Sequence, residues 1–357
     1  MTSLALVGTV LAPLAPAHAG SLETEFDQAF VAPPRPQLQS PAKTQPKLQP
    51  KTESAQRALP STVQAFVAPP AQRFYGTGLE AQLGPLTDSS NGRIGIAAID
   101  LTTGRIVTVL GDTPFPMAST SKIAIAATFL DGVDHGRLSL SDSYPLMVPV
   151  KSKKYSSSVA PVRAGAMLTG QKLIEASLIH SNNQATDALL AAVGGPAAVN
   201  RWLRAAGIAG LRLDRDIATL VRDDGEYDPA RVIDQRDSTT PVAMAQLLSG
   251  IYQGRWLSPA SRSFLLATME RCETGKHRMR ALLPGDARIA HKTGTLANTS
   301  SDVGLIQTSD GRVFAVAIYV TGQGGHSGRD SKIAQIAQMI YYGYQGASSD
   351  YRVAAQK

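Results

Sequence analysis

The sequence predicts an α/β (α+β) fold, with an antiparallel sheet built from N- and C-terminal strands flanked by helices, plus an all-helical subdomain. Two strand-like segments around a Thr102-Thr103-Gly104 turn, "RIGIAAIDLTTGRIVTVLG", open the folded region. Two more around Asp310-Gly311, "SDVGLIQTSDGRVFAVAIYVTG", close it, and a short Gly-containing turn between β-rich runs is a hairpin signal. The stretch between these pairs repeats apolar residues mainly at helical spacing.

Taken in order, the chain starts with "LALVGTVLAPLAPAHAG", a short apolar stretch broken by prolines and ending in Ala17-His18-Ala19. This predicts a secretory signal peptide over residues 1–19, hence a secreted or periplasmic protein, because the run is too short and too interrupted for a membrane span. No Lys or Arg precedes the apolar part, so either the signal is imperfect or the start lies upstream. Residues 20–74 turn to Pro, Gln, Ala, Ser and Lys, as in "VAPPRPQLQSPAKTQPKLQPKTESAQ". Frequent prolines remove backbone donors and few large apolar groups offset chain entropy, which predicts a disordered linker. A plain tether and a segment touching an envelope polymer both remain open for it.

The folded domain is expected over residues 75–345, followed by a tail over 346–357. Its helical segments are "KIAIAATFLDGV", "GQKLIEASLIHSNNQATDALLAAVGG", "PAAVNRWLRAAG", "TPVAMAQLLSGIY", "SPASRSFLLATMERC" and "DSKIAQIAQMIYYGY". The last repeats Ile333, Ile336, Met339 and Ile340 at helical spacing and should pack on the sheet. With 357 residues and 43% hydrophobic content the chain can bury a sizeable core.

A net charge of +7 favours anionic partners only weakly, since no basic run exceeds Lys153-Lys154. No nucleic-acid motif is present, so nucleic acid is not an expected partner. Histidines at 18, 135, 180, 277, 291 and 326 lack ligand spacing, and neither a metal nor an organic cofactor is implied. The single cysteine, Cys272, excludes an intramolecular disulfide and carries no nucleophile signature in its own segment.

The candidate chemistry starts at "MASTSK" (residues 117–122), polar residues at the mouth of an apolar helix. Ser119 and Lys122 are three apart and share a helix face. A nucleophilic serine needs a base, which lysine supplies when burial and neighbours lower its pKa. An S-x-x-K is expected roughly once by chance in a chain of this length, and Ser119 as a helix N-cap is the competing reading. Ser181 and Asn183 follow in S-x-N spacing inside a helical pattern, and Lys292, Thr293 and Gly294 follow at a strand.

In this order the motifs resemble those of the class A β-lactamases, penicillin-recognising serine enzymes marked by S-x-x-K, S-D-N and K-T-G. The resemblance runs through "FPMASTSK", "SNNQATDALLAAVGGP", "LRLDR", "RDSTTPVAMAQLL" and "LLPGDARIAHKTGT" to the terminal strands and helix. It implies a β-lactamase/transpeptidase-like fold. It implies that Ser119 is acylated, that Lys122 helps deprotonate it, and that Ser181 relays a proton to the leaving nitrogen. Asn183 would hold the acyl amide, and the backbone N–H groups of Ser119 and Thr295 would form the oxyanion hole. Lys292, Thr293, Gly294 and Thr295 would face the substrate carboxylate, with Arg278 either joining them or standing as a surface charge at a helix end.

Three departures qualify the resemblance. Ile217 stands where the family's E-x-x-L-N loop carries its deacylation glutamate, and an aliphatic chain cannot act as a base. The loop is long and acidic, and Glu226 is the expected replacement base, against a solvated loop acid. Asn182 replaces the aspartate of the S-D-N motif and His291 the acid that commonly precedes K-T-G; His291 is expected to pack or hydrogen-bond. The resemblance therefore implies a serine hydrolase opening a small-molecule β-lactam through a Ser119 acyl-enzyme, without a cofactor and acting as a monomer. The alternatives are a D-Ala-D-Ala carboxypeptidase or penicillin-binding protein acting on peptidoglycan stem peptides, and a β-lactam sensor without turnover.

Overall fold

The computed structural model describes residues 60–66, 78–87 and 90–354, with side chains as far as 344. The segment expected to be a signal peptide and most of the expected linker lie outside the described residues.

The chain enters with β1 (Val63–Ala65) and α1 (Leu79–Leu83), forms the hairpin β2 (Ile94–Asp100) and β3 (Ile106–Val109), and passes through β4 (Phe115–Pro116) into α2 (Lys122–Asp134). The pair β5 (Ser143–Pro149) and β6 (Val162–Thr169) precedes α3 (Gly170–Ile179), α4 (Asn183–Val193), α5 (Pro196–Ala205) and α6 (Ile217–Arg222). Then come β7 (Val232–Asp234), β8 (Ser238–Thr239), α7 (Pro241–Tyr252) and α8 (Pro259–Glu270). The chain closes with β9 (Arg288–Leu296), β10 (Thr299–Gln307), β11 (Val313–Thr321) and α9 (His326–Ala354).

The main sheet has the order β3-β2-β11-β10-β9 and is antiparallel throughout. Its central strands are buried on both faces, and the two-residue period of a strand sorts their side chains into two cores. Phe314, Val316, Ile318 and Val320 join Ile333, Ile336 and Ile340 of α9 in one core. Val313, Ala315, Ala317 and Tyr319 join α2 and α7 residues in the other. Helix α2 is buried on nearly every side, as expected for an element apolar all round. The backbone of α9 continues to Ala354, past the expected domain end at 345.

Three features depart from the sequence reading. The β5/β6 hairpin was not anticipated, because Pro145 and Pro149 obscure a strand pattern that is tolerated in a two-stranded sheet open on its edges. The segment from Gly170 to Gly195 is two helices, parted where Ser181 takes φ +57° and Asn182 accepts the Ala185 N–H at 2.8 Å. Residues 60–66, expected within the linker, include β1, which pairs antiparallel with β7. The segment from Ser61 to Val67 contains no proline, so its ladder donors are intact.

Arg93 ties this strap to the body. Its guanidinium is fully buried and donates to the carbonyls of Pro229 (2.9 Å), Pro114 (2.8 Å) and Val232 (3.3 Å). It also lies over the rings of Phe115 and Phe66, at 4.5 and 5.2 Å. Burial lowers its pKa to about 10. Removing it takes the donor from one buried and two part-buried carbonyls, so Arg93→Ala is expected to cost about 3 kcal/mol of stability. Urea unfolding of the two proteins checks this, and a loss under about 1 kcal/mol would mean the carbonyls find other partners.

Candidate active site

Ser119 lies in a single 3₁₀ turn, Ala118–Ser121, that leads directly into α2. The turn is closed by side chains: Thr120 Oγ1 donates to the Met117 carbonyl at 2.7 Å and Ser121 Oγ to that of Ala118 at 2.9 Å. Ala118 is held at φ +50°, a region that residues with a Cβ avoid, so the backbone just before Ser119 stores strain. The caps of the turn and of α2 are Met117 and Ser121, which leaves Ser119 out of a capping role. The Lys122 N–H donates to the Ser119 carbonyl, so the two side chains stand one turn apart on one face.

Lys122 is fully buried. Its Nζ meets the Ser181 carbonyl at 2.5 Å, Asn183 Oδ1 at 2.7 Å and Ser181 Oγ at 3.1 Å. The first two oxygens can only accept, whereas the hydroxyl can accept or donate. Desolvation, followed by the charge of Lys292, holds the Lys122 pKa well below the usual lysine range, while Asp187 opposes the shift. The first and second motifs are thus in direct contact, and the break at Ser181 is what turns its carbonyl and hydroxyl together toward the amine.

The third motif arrives on β9. Gly294 passes so close to the serine turn that a Cβ there would sit 2.7 Å from the Met117 carbonyl and 3.0 Å from the Ala118 Cβ. Lys292 is buried and donates to the Thr293 carbonyl at 3.0 Å. Thr293 Oγ1 lies 2.5 Å from Thr274 Oγ1. Arg278 is no surface charge: it is buried and donates to Thr295 Oγ1 (2.8 Å) and to the carbonyls of Gly294 (3.0 Å) and Ser301 (3.1 Å), balanced by Asp330 at 2.8 Å.

Glu226 does not join this cluster. Its carboxylate pairs with Arg236 at 2.8 Å, and the small cavity it lines is bounded by Arg215, Asp223, Asp237, Leu296 and Thr299, without Ser119, Lys122 or Ser181. The loop is long enough to fold on itself, and its own arginine takes the acid. The loop's base is pinned by Arg215 and Asp237 at 2.6 Å.

Ile217 is buried at the start of α6, and the carboxylate beneath it belongs to Asp187. Asp187 accepts the N–H groups of Ile217 (2.7 Å) and Ala218 (2.9 Å). Burial outweighs these bonds and raises its pKa to about 7. Sequence reasoning missed this acid, although its position four residues after Asn183 places both on one helix face. His291 is buried and hydrogen-bonded as expected, and the partner that the sequence did not indicate is Asp302, 2.8 Å from its Nδ1.

The chain's residues 78–344 match the model of the beta-lactamase enzyme family. Beta-lactamase CTX-M-97 of Escherichia coli is 32% identical over 273 residues, 74% of this chain and 89% of that protein. The extended-spectrum beta-lactamase PER-1 of Pseudomonas aeruginosa is 30% identical over 64% of this chain and 74% of its own length. Among solved structures, an ancestral class A beta-lactamase superposes with a TM-score of 0.63 at 36% identity, covering 74% of this chain and 99% of that one. A beta-lactamase from Chitinophaga pinensis gives 0.64 at 27% identity, covering 74% and 98%.

The close approach of β9 to the serine turn yields a specific expectation. Gly294→Ala places a methyl group against the Ser301 hydroxyl, the Met117 carbonyl and the Ala118 Cβ, a misfit worth about 1–3 kcal/mol. It should lower the melting temperature and slow labelling of Ser119 by a fluorescent penicillin at least several-fold. Wild-type labelling in the variant would show that the approach is slack.

Proposed function

The chain belongs to the beta-lactamase enzyme family, and from that membership we propose that it hydrolyses β-lactams through an acyl-enzyme on Ser119, with Lys122 as the proton acceptor. It is a serine hydrolase of the class A β-lactamase type. The observation that carries the assignment of roles is the buried Lys122, one turn from Ser119, with its amine on Ser181 Oγ and Asn183 Oδ1.

In this reading Ser119 Oγ attacks the lactam carbonyl and its proton passes to Lys122, whose pKa burial and Lys292 hold well below the usual lysine range. The N–H groups of Ser119 and Thr295 meet the charge that develops on the carbonyl oxygen. As the ring C–N bond breaks, Ser181 gives its proton to the nitrogen and regains one from Lys122. Asn183 orients the acyl amide. Lys292, Thr293, Gly294, Thr295 and Arg278 form the cationic and hydroxyl-lined end that takes the substrate carboxylate. Water then attacks the ester, loses its proton to Lys122, and Ser119 departs with that proton. Glu226 serves in this scheme as a loop anchor. We place the protein outside the cytoplasm, on the Ala17-His18-Ala19 pattern near its start; no helix among the described residues is long and apolar enough to cross a membrane.

With Ile217 in place of a carboxylate, ester hydrolysis should be the slower half. An intact-mass time course with benzylpenicillin is expected to show an adduct on Ser119 that accumulates while penicillin is consumed, and no adduct on Ser119→Ala. A labelled Ser119→Ala would remove the mechanism. Glu226→Gln should leave clearance of the adduct within about twofold of wild type; a trapped adduct would make Glu226 the base.

The pH dependence has a defined sign. Only neutral Lys122 accepts a proton, so acylation should rise with pH along a limb centred well below the ordinary lysine value of about 10.4. Lys122→Arg keeps the charge but cannot lose it, and should slow acylation by about 100-fold or more. The Asp187 carboxylate favours protonated Lys122, so Asp187→Asn should move that limb to lower pH. A limb that stays put in stopped-flow rates would show that Asp187 only holds the loop.

A further inference from the structure

Behind β9, on the side away from Lys122, three buried side chains meet that the hydrolytic scheme does not use. His291 is 1% exposed; its Nδ1 contacts Asp302 Oδ1 at 2.8 Å, while its Nε2 has no hydrogen-bond partner of ordinary geometry. The group beside that ring is the Cys272 thiol. Asp302 is completely buried and also accepts the Met279 N–H at 3.1 Å. An acid, an imidazole and a thiol side by side are the parts of an activated cysteine, the acid fixing the ring and the ring stabilising the thiolate.

Cys272 is only 5% exposed, but it borders open space. Cys272 lines a cavity of about 250 Å³ whose rim includes the exposed Arg271, Glu273, Lys276 and Arg280. Burial pushes the thiol pKa up, but His291, Lys292 and Thr274 outweigh it and bring it down; burial pulls the His291 pKa down, but Asp302 and the thiol outweigh it and raise it. The charged side chains on the cavity rim are partly paired among themselves, Arg271 with Glu175 and Glu273 with His180. The sulfur is also tied to the substrate end of the active site. It lies 3.3 Å from Thr274 Oγ1, which in turn lies 2.5 Å from Thr293 Oγ1 on β9.

We propose that Cys272, His291 and Asp302 form a second nucleophilic centre, at which hydroperoxides oxidise the Cys272 sulfur, and that this oxidation slows acylation at Ser119. The thiolate attacks one peroxide oxygen, an S–O bond forms and the O–O bond breaks. The departing hydroxide or alkoxide takes the imidazolium proton, giving water or an alcohol, a sulfenic acid and neutral His291. Sulfur loses two electrons and the peroxide gains them. The added oxygen has to displace Thr274, and Thr293 moves with it, which disturbs the pocket for the substrate carboxylate. The slowed acylation rests on the roles proposed above; the thiol chemistry does not.

The full-length protein is treated with hydrogen peroxide, and sulfenic acid is trapped with dimedone and located by peptide mass. Folded wild type should give a dimedone adduct at Cys272. Its alkylation by iodoacetamide should reach a plateau below pH 7, where an ordinary thiol with a pKa near 8.5 is still rising. His291→Asn should lose that plateau and slow trapping about tenfold. Peroxide should slow penicillin labelling of Ser119 several-fold in wild type and not in Cys272→Ser, which otherwise labels normally. Labelling only after unfolding, or an ordinary thiol pH profile in wild type, would overturn the second centre. An adduct with unchanged penicillin labelling would overturn the coupling, and if even untreated protein fails to label, the fault lies with the assignment of Ser119.

Discussion

The arrangement of this molecule turns on one buried amine. A lysine taken out of water costs several kcal/mol unless oxygens replace its hydration shell or it gives up its proton. Lys122 sits where the helical layer meets the sheet, at the start of the most deeply buried helix, and its partners come from one short break. That break is the left-handed Ser181, capped onward by Asn182. Were the two helices continuous, the Ser181 carbonyl would be spent on the helix ladder and its hydroxyl would lie elsewhere on the helix face. The strained residues Ala118 and Ser181 thus serve the same cluster, one just before the serine and the other supplying acceptors to the amine.

The acidic loop supplies the second constraint. Read from the sequence it offers a surplus of carboxylates, any of which could serve as a base. In the folded chain they are nearly all spent. Asp223 pairs with Arg222, Asp234 and Glu226 share Arg236, and Asp237 holds Arg215. Asp224 accepts the Ala297 N–H at 2.8 Å, linking the loop to the β9/β10 turn. From the outer side β1 and Arg93 hold the loop by its carbonyls. These contacts define the loop's path and leave Asp187, outside the loop, as the carboxylate facing Lys122.

This explains which features the sequence discloses. The two hairpins of the main sheet were legible because each strand carries its own period and each turn its own glycine. The serine and lysine of the first motif were legible as neighbours, since helical spacing alone relates them. Arg278 was not, because whether a basic residue after a helix faces solvent depends on Asp330, Thr295 and Ser301 from distant segments. The β5/β6 hairpin hid behind its prolines. Glu226 was misplaced because composition reports charge without saying which arginine will claim it. Cys272 looked inert for the same reason, since His291 and Asp302 reach it only through the β9/β10 ladder and nothing in its own segment announces them.

Strand β9 joins the two chemistries while keeping them apart. Side chains alternate along a strand, so His291 and Thr293 share one side and Lys292 and Gly294 the other. The first pair meets Cys272 and Thr274. The second meets the serine turn, with Lys292 adding its charge to the field around Lys122. A rigid strand with both faces packed cannot move one set of side chains freely without shifting the other. Lys292 lowers the pKa of both the Lys122 amine and the Cys272 thiol. One buried cation therefore favours the nucleophilic form of two groups at once: by repelling a proton from an amine, and by stabilising the anion of a thiol.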